Sequence, residues 1–320
     1  MRKLGVAVVG AGFWGSNHVR VFSELPETEL MGVCDVDPER AERVAREFGV
    51  EWYTDSRKML KRKDVEAVSI CTWTTAHAAE AMRALRRGKH VFVEKPISST
   101  VRQARKIVKL AKSENRHLMV GFIERFNPGV QRVKENLDKN EIGSVVSATA
   151  IRVSQWPERV GDVGVVKDAA IHDIDIVRYV FSENPIAVYA EVGNLKHARF
   201  EDYAQIMLTF KKGKTAFIEA NWLTPYKIRR LVVTGSKGIL SLDYLTQEVK
   251  IDSADQTRMP RYEWEEPLRL ELEHFAKSVL NEEESSVTGA DGLNALIICE
   301  AVIQSAERCK AVRLEQKLEK

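Results

Sequence analysis

The feature that most restricts the fold of this chain is a glycine-rich turn, Gly10-Ala11-Gly12-Phe13-Trp14-Gly15, which follows a short apolar run. The run Leu4–Val9 is typical of a buried strand, and the residues after the turn have a helical pattern. In this setting Gly10 permits a tight turn, Gly12 lets the backbone approach a pyrophosphate, and Gly15 allows close packing of helix on strand. The turn therefore predicts a dinucleotide-binding site at a helix N-terminus.

The residue that indicates which dinucleotide binds is Asp35. It follows the second apolar run, twenty residues after Gly15, where a carboxylate accepts hydrogen bonds from the adenosine ribose hydroxyls. A carboxylate there also repels a 2′-phosphate, so NAD is favoured over NADP as the cofactor. Phe13 and Trp14 within the turn are further expected cofactor contacts.

The first 122 residues alternate apolar runs with helical patterns. Nearly continuous apolar strands separated by amphipathic helices are typical of a parallel sheet covered on both faces. We therefore predict an α/β fold with a Rossmann-type NAD-binding domain over residues 1–122. After the first strand, the expected strands are Leu30–Cys34, Ala67–Cys71, His90–Val93 and Leu118–Val120, and the expected helices are Pro38–Phe48, Thr75–Arg87 and Val101–Ser113.

The pattern changes in the second part of the chain, where short alternating segments rich in β-branched residues are separated by turn signals. Strands joined by short turns indicate a large, mostly antiparallel sheet, so we predict a second, α+β domain over residues 123–320. Helices near 171–181, 267–281 and 289–308 are expected to pack on one side of that sheet. The expected strands are Ser144–Arg152, Ile186–Val192, Tyr203–Phe210, Thr215–Asn221 and Arg229–Gly235.

Charge and cysteine content exclude several classes of function. The chain has 49 basic and 46 acidic residues, mixed along its length, which gives no electrostatic case for nucleic acid or a membrane surface as partner. The apolar run near the N-terminus is far shorter than a membrane span needs. The four cysteines lack zinc-site spacing, so no metal site is expected. We predict a cytoplasmic protein.

Two further motifs carry candidate chemistry. Lys95, in the segment Glu94-Lys95-Pro96, follows an apolar run and so is expected at the strand end where ligands bind in open parallel sheets. Asp168, His172 and Asp175 would share one face of a helix at spacings of four and three. Taken alone, these residues are also consistent with a surface lysine and an ordinary polar helix face.

The glycine-rich turn, the Glu-Lys-Pro segment and the helix with His172 together resemble the Gfo/Idh/MocA oxidoreductase family, over the whole chain. The resemblance implies that Lys95 and His172 are catalytic and that Asp168 binds a substrate hydroxyl. It also implies an open sheet face that forms a homodimer or homotetramer. The matching positions on the cofactor side are Thr72, Trp73, His77 and Glu94, with Trp73 in place of a proline common in the family.

A narrower resemblance, to archaeal-type UDP-N-acetylglucosamine 3-dehydrogenases, comes from the segments 121–128 and 159–165. It implies hydride transfer from C3 of a UDP-sugar to NAD⁺, with His172 as general base and Lys95 orienting the hydroxyl. Arg125, Asn127 and Arg159 are the candidates for the polar or diphosphate end of the substrate. The alternatives are an inositol or free-sugar dehydrogenase, a glycosidase that uses NAD⁺ transiently, and a non-catalytic NAD-sensing protein.

Overall fold

The glycine-rich turn lies in a unit formed by Met1–Phe122 and Leu268–Leu293, and a second unit is formed by Ile123–Pro267 and Asn294–Lys320. The structure, a computed structural model, describes residues 2–157, 161–314 and 318. One boundary follows Phe122, the residue at which the sequence prediction placed it. In the described part of the chain, no helix has the length and apolar character needed to cross a membrane.

The first unit contains a six-stranded, all-parallel sheet of order β3-β2-β1-β4-β5-β6, which confirms the α/β prediction. This strand order reverses at β1 and β4, and in such sheets ligands bind at that point, outside the carboxyl ends of the strands. The strands are β1 (Leu4–Val9), β2 (Thr28–Cys34), β3 (Glu51–Tyr53), β4 (Ala67–Ile70), β5 (His90–Glu94) and β6 (Leu118–Gly121). The helices are α1 (Phe13–Glu24), α2 (Pro38–Phe48), α3 (Ser56–Met59), α4 (Thr74–Arg86) and α5 (Val101–Ser113).

The helix boundaries follow local capping chemistry. Asp37 accepts a hydrogen bond from the backbone N–H of Arg40 at the start of α2, and Pro38 occupies the first helical position. The same helix ends at Gly49, whose φ of 67° is the left-handed conformation that glycine adopts without a steric penalty. The sequence positions of these caps explain why α2 begins and ends where the pattern predicts.

The assignment of residues 268–293 to the second domain was wrong. Helix α8 (Pro267–Asn281) packs in the first unit, where the ring of Phe275 meets the ring of Phe92 on β5 at 5.7 Å. Gly289, the first residue of α9 (Gly289–Arg308), also approaches the first sheet, since a Cβ there would lie 2.6 Å from the side chain of Leu118. An apolar helix stripe has the same sequence pattern whichever sheet it covers, so the pattern did not indicate the partner.

The second unit is built on a nine-stranded sheet of order β14-β13-β12-β11-β7-β10-β9-β8-β15. Within the described ranges, β10 and β7 are the one pair of this sheet that runs parallel, so the prediction of a mostly antiparallel sheet is confirmed. The strands are β7 (Val145–Val153), β8 (Ala187–Gly193), β9 (Tyr203–Thr209), β10 (Thr215–Asn221), β11 (Ile228–Gly235), β12 (Gly238–Asp243), β13 (Val249–Ser253), β14 (Thr257–Arg258) and β15 (Val312–Arg313).

One face of this sheet is covered and the other is open. Along β10, Ala216, Ile218 and Ala220 are buried and alternate with more exposed neighbours. The covering helices include α6 (Pro128–Asp138), which contacts β12 and β13, and α7 (Ile171–Phe181), which contacts β7 and β10. Helix α7 carries His172, so the buried face of this sheet fixes the position of a predicted site residue.

Candidate active site

The glycine-rich turn is shaped by close backbone contacts that only glycine permits. Gly10 has a φ of 96°, and a Cβ there would lie 2.6 Å from the carbonyl oxygen of Cys71. A Cβ on Gly15 would lie 1.7 Å from the carbonyl oxygen of Gly10. Gly12 is the N-cap residue of α1, and no described side chain caps this end of the helix. The N-terminus of α1, with its partial positive charge, is directed at the turn and suits an anion.

Asp35 joins the turn to the end of β2. It is 7% exposed, and its Oδ2 atom accepts a 2.7 Å hydrogen bond from the backbone N–H of Ala11. Its Oδ1 atom accepts a 2.9 Å hydrogen bond from the N–H of Asp37. An ionised carboxylate has about four lone-pair sites, so Asp35 keeps acceptor capacity for ribose hydroxyls while it holds the turn in place.

The turn and Asp35 together fit NAD. The amides of α1 suit a pyrophosphate, and the carboxylate of Asp35 suits the adenosine ribose. The nearby cation Arg40 lies 3.4 Å from Asp35 and 3.1 Å from Asp37, so its charge is matched twice and is not reserved for a 2′-phosphate. Phe13 and Trp14 meet edge to face at 5.7 Å at the start of α1, and their contact with the cofactor stays a prediction.

Lys95 directly follows β5, at the carboxyl edge of the parallel sheet, and the Lys95–Pro96 peptide bond is cis. The preceding Glu94 is buried, and its Oε2 atom accepts a 3.2 Å hydrogen bond from the backbone N–H of Lys95. A Cβ on Gly121 would lie 2.9 Å from the Oε1 atom of Glu94. Glu94, predicted as a cofactor contact, therefore braces the backbone that carries Lys95.

His18 is a site residue that the sequence analysis missed. It is fully buried in α1, with Nε2 at 3.2 Å from Glu94 Oε1 and Nδ1 at 2.9 Å from Ser69 Oγ. Burial acts to lower the pKa of His18, but the neighbouring Cys71 and Glu94 outweigh it and raise that pKa to about 10. The protonated imidazole thus donates to Glu94. Its position three residues after Gly15, on the side of α1 that faces the sheet, was the available signal.

His77 links the two loops that carry Thr72 and Lys95. It is buried, with Nδ1 at 2.8 Å from the carbonyl oxygen of Pro96 and Nε2 at 3.0 Å from the carbonyl oxygen of Thr72. Its ring therefore holds the ends of β4 and β5 together. The neighbouring Trp73 is 55% exposed at the N-cap of α4, and its contact with the cofactor stays a prediction, as does that of Thr72.

In the second unit, Asp168 and His172 lie on either side of a change in helix geometry. A π-helical turn spans Val166–Ala170, and α7 starts at Ile171. The turn is anchored at Glu201, whose carbonyl oxygen and carboxylate accept the backbone N–H groups of Val165 and Val166 at 2.9 and 3.2 Å. The predicted helix near 171–181 is present as α7, and the regular spacing assumed for Asp168 is corrected by the π-turn that precedes it. Such turns are frequent at functional sites.

The predicted grouping of Asp175 with Asp168 and His172 on an open polar face was wrong. Asp175 is buried, and Arg125 binds both of its carboxylate oxygens at 2.6 and 2.7 Å. Arg178 lies 3.3 Å from the same carboxylate. Arg125, predicted at the diphosphate end of the substrate, therefore anchors α7 inside the unit.

A second buried ion pair, missed by the sequence analysis, anchors α7 to the sheet. Arg152 on β7 binds both carboxylate oxygens of Asp173, at 2.6 and 3.2 Å, and also lies 2.9 Å from Glu124. Burial opposes the charge, but Asp173 and Glu124 raise the pKa of Arg152 above its ordinary value. Two bidentate pairs, made by Asp173 and Asp175 within a single turn, thus fix the helix that carries His172.

Two other predicted substrate residues have different outcomes. Asn127 caps α6: its Oδ1 atom accepts the N–H of Gly129 at 3.0 Å, and its amide donates to Glu124 and to the carbonyl oxygen of Tyr244. This amide is committed to the fold. Arg159 lies outside the described residues.

Comparison with known proteins matches the two parts of the chain to two family models. The model of the oxidoreductase family with an NAD-binding Rossmann fold matches residues 4–122, and the model of the GFO/IDH/MocA C-terminal domain matches residues 130–241. The inositol 2-dehydrogenase of Rhizobium meliloti (strain 1021) is 30% identical over 96% of this chain and 98% of its own length. The chain belongs to the Gfo/Idh/MocA family.

Further members of the family differ in the substrates they are named for. The scyllo-inositol 2-dehydrogenase (NAD(+)) of Bacillus subtilis (strain 168) is 30% identical over 97% of this chain and 96% of its own. The solved structure of the UDP-N-acetylglucosamine 3-dehydrogenase GnnA from Acidithiobacillus ferrooxidans is 25% identical, with a TM-score of 0.88 over 96% of this chain and 99% of that one. The fold is thus shared by members named for free polyols and for a nucleotide sugar.

Family membership and the glycine-rich turn make this protein an NAD-dependent oxidoreductase that acts on a CH–OH group of a sugar or polyol. Among the described residues, no group of three or more histidine, cysteine, aspartate or glutamate side chains is arranged to hold a metal ion.

Proposed function

We propose that this protein oxidises the C3 hydroxyl of UDP-N-acetylglucosamine to the 3-keto sugar. The observation that carries the proposal is the junction of the π-helical turn and α7, where Asp168 and His172 are presented one turn apart on a helix anchored by two buried bidentate ion pairs. The similarity to GnnA over nearly the full length of both chains supports the choice of a nucleotide sugar.

In the proposed reaction each residue has one role. His172 accepts the proton of the substrate hydroxyl, since an imidazole titrates near neutral pH without special tuning. Lys95 donates a hydrogen bond to the same oxygen and stabilises the negative charge that develops on it. Asp168 accepts a hydrogen bond from a neighbouring hydroxyl and so orients the ring. NAD⁺ supplies the hydride acceptor, so the products are the ketone, NADH and one proton.

The second candidate is the oxidation of a free polyol such as inositol. It is favoured by the inositol dehydrogenases that are 30% identical to this chain over almost its whole length. The two candidates share the proposed roles of Lys95, Asp168 and His172, and they differ in whether the enzyme must bind a diphosphate.

A substrate screen separates these candidates. NADH formation at 340 nm would be followed with UDP-N-acetylglucosamine, myo-inositol and scyllo-inositol as substrates, with NAD⁺ in excess. We expect turnover of the UDP-sugar with a kcat/KM at least about a hundredfold above that of either inositol. Turnover of an inositol without turnover of any UDP-sugar would refute the leading proposal.

A glycosidase that uses NAD⁺ transiently would behave differently in the same screen. Such an enzyme reduces its keto intermediate again, so it releases no net NADH, and its cofactor stays bound through gel filtration. Stoichiometric release of NADH and 3-keto sugar is the result that we expect. A product lacking its nucleotide, formed with no NADH, would support the glycosidase.

We also propose a homodimer or homotetramer that uses the open face of the nine-stranded sheet. Phe217 is 47% exposed there and lies in register with Met207, which lies in register with Tyr189, so an apolar row crosses three strands. Phe217→Asp is expected to shift the sedimentation coefficient toward that of the monomer, and an unchanged coefficient would count against this interface. A cytoplasmic location stays a prediction.

A further inference from the structure

The second unit contains two arginines in a position that is normally unfavourable. Arg152 on β7 and Arg229 on β11 are directly opposite each other in the antiparallel pair. Like charges in such cross-strand pairs destabilise a sheet. Two guanidinium groups at this point of the sheet therefore each need a compensating partner.

The carboxylates at ion-pair distance do not fully supply those partners. Asp173 is taken up by Arg152 through both of its oxygens. The Oε1 atom of Glu124 is shared, at 2.9 Å from Arg152 and 3.4 Å from Arg229. Among the described residues, the carboxylate at ion-pair distance from Arg229 is therefore that of Glu124, which it shares with Arg152 at the longer of the two distances.

A third cation lies two residues before Arg229. Lys227 is exposed, and no carboxylate in the described ranges lies at ion-pair distance from its ammonium group. The Arg229 guanidinium, together with partial burial, holds the pKa of Lys227 below its ordinary value. Burial and then Arg152 lower the pKa of Arg229 in the same way. In the described part of the chain, Asp173 and Glu124 thus pair with Arg152 and Arg229 and leave Lys227 unmatched, so the surplus positive charge is concentrated at Lys227 and Arg229.

These cations lie at the same end of the nine-stranded sheet as the anchor of the π-helical turn. Lys227 ends a loop that is bonded to the segment after β7: the N–H of Thr224 donates to the carbonyl oxygen of Ser154 at 3.1 Å, and the Gln155 amide donates to the carbonyl oxygen of Pro225. Glu201, which anchors the π-turn, lies just before β9. The first residue of β9 pairs with the last residue of β10, so Glu201 lies at this same end of the sheet.

The electrostatic environment of Arg229 agrees with this placement. The carboxylate of Asp168, the predicted ligand of a substrate hydroxyl, is among the groups that act to raise the pKa of Arg229. The surplus charge is therefore within the electrostatic reach of a residue that we place at the sugar. A sugar held by Asp168 would have its anionic substituent drawn toward Lys227 and Arg229.

An aromatic surface adjoins the same loop. Trp156, on the segment bonded to the loop that ends at Lys227, stacks on His197 at 6.2 Å and meets Trp222 edge to face at 5.9 Å. Trp156 is half-buried, so one part of a fixed, flat side chain remains accessible beside the cations. The cations suit a diphosphate, and the aromatic side chain suits a base attached to it.

We propose that Lys227 and Arg229 form the anion subsite of this enzyme and bind the diphosphate of a nucleotide sugar. The inference rests on the proposed function and gives it a location. Arg229 presents a planar fork of donors that matches phosphate oxygens, and Lys227 adds a point charge on a flexible stem. The subsite takes over the role that the sequence analysis gave to Arg125 and Asn127, which are committed to the fold.

The test measures the binding of UDP to the full-length enzyme saturated with NADH, by isothermal titration calorimetry. Saturation with NADH is needed because the helix N-terminus at the cofactor turn also attracts phosphates. Lys227→Met and Arg229→Gln are each expected to weaken UDP binding about tenfold or more, since a charge-assisted contact to phosphate is lost. Binding of uridine, which lacks the phosphates, should be unchanged in Lys227→Met.

The matched control is Lys237→Met, which removes an exposed lysine just beyond the opposite end of β11 and should bind UDP as the wild type does. Lys227 is exposed, so its variant keeps the test valid if Arg229→Gln fails to fold. No UDP binding by the wild type, or equal binding by the wild type and Lys227→Met, would overturn the subsite. Lysine-dependent UDP binding without turnover of any UDP-sugar would leave the subsite in place and refute the proposed function.

Discussion

The two units of this enzyme are assembled in different ways; we call Met1–Phe122 with Leu268–Leu293 the cofactor half, and Ile123–Pro267 with Asn294–Lys320 the substrate half. The cofactor half is local: Gly10, Gly15 and Asp35 lie within one strand–helix–strand segment and are locked by backbone contacts. The substrate half draws its charged side chains from residues that lie far apart in the chain, such as Glu124, Arg152 and Arg229, and holds them by ion pairs.

This difference explains how one family serves several substrates with one cofactor. A turn whose shape depends on the absence of a Cβ tolerates almost no change, so the dinucleotide site is retained. Side chains on separate strands can be exchanged one at a time, so the substrate end can adapt to a polyol or to a nucleotide sugar. The relatives named for inositol and the structure named for UDP-N-acetylglucosamine are consistent with that division.

The largest expected effect separates chemistry from cofactor binding. His172→Ala should lower kcat about a thousandfold, because a positioned general base typically contributes 10²- to 10⁴-fold. The affinity for NADH, followed by its fluorescence, should stay within about twofold of the wild type, because His172 belongs to the second unit.

His172→Asn is the companion variant, since it keeps a hydrogen-bonding side chain of similar size that cannot accept the proton. It should be about as inactive as His172→Ala. A kcat near the wild-type value in either variant would exclude His172 as the base, and a large loss of NADH affinity would mean that the two halves are not independent.

The next effect concerns the ion pairs of the substrate half. Arg152→Met removes the buried positive charge that faces Asp173 and Glu124. Breaking such a buried pair lowers the free energy of unfolding by about 3–5 kcal/mol. Urea denaturation should show this loss. The double variant Arg152→Met/Asp173→Leu removes both charges of the closest pair and should recover part of the stability. If the double variant were less stable than the single one, the network would not be held by this pair.

In the cofactor half, the addition of a single methyl group at Gly10 should lower both stability and NADH affinity. Gly10→Ala places a Cβ 2.6 Å from the carbonyl oxygen of Cys71 and imposes a φ that alanine disfavours, so we expect about 1–3 kcal/mol of destabilisation and weaker NADH binding. Gly49→Ala is the matched control: its φ is also positive, but no atom lies within 4 Å of the added Cβ. The control should lose about 1 kcal/mol and bind NADH normally. Equal NADH binding in both variants would remove the special role of Gly10.

The same contrast explains what the sequence could and could not predict. The strands of the parallel sheet, the α2 caps and the glycine-rich turn each have a local sequence pattern, and pattern reasoning found them. Helix α8 was placed on the wrong sheet because its apolar stripe does not encode its partner. Arg125 was predicted at the diphosphate end of the substrate, because its pairing with Asp175 joins residues fifty positions apart and leaves no local pattern. The ion pair between Arg152 and Asp173 was invisible for the same reason.

His18 offers the smallest and most specific test, because it forms a long-range ion pair with Glu94 inside the cofactor half. Its pKa is raised from an ordinary value of 6.5 to about 10 in the folded protein. A group whose pKa is raised on folding stabilises the native state fully below its unfolded pKa, and this stabilisation is lost as the pH rises through the folded pKa. The contribution of His18 should therefore be present at pH 6 and should fade toward pH 10.

The measurement compares the melting temperature of the wild type with that of His18→Gln across this pH range. The variant keeps a hydrogen-bonding side chain but cannot carry the charge that faces Glu94. The wild type should melt a few degrees higher at pH 6, and the difference should shrink as the pH approaches 10. A difference that is independent of pH would show that His18 acts by packing alone. In that case the brace on Lys95 would depend on the shape of the imidazole ring and not on its charge, and the cofactor half would contain no ion pair on which the position of Lys95 depends.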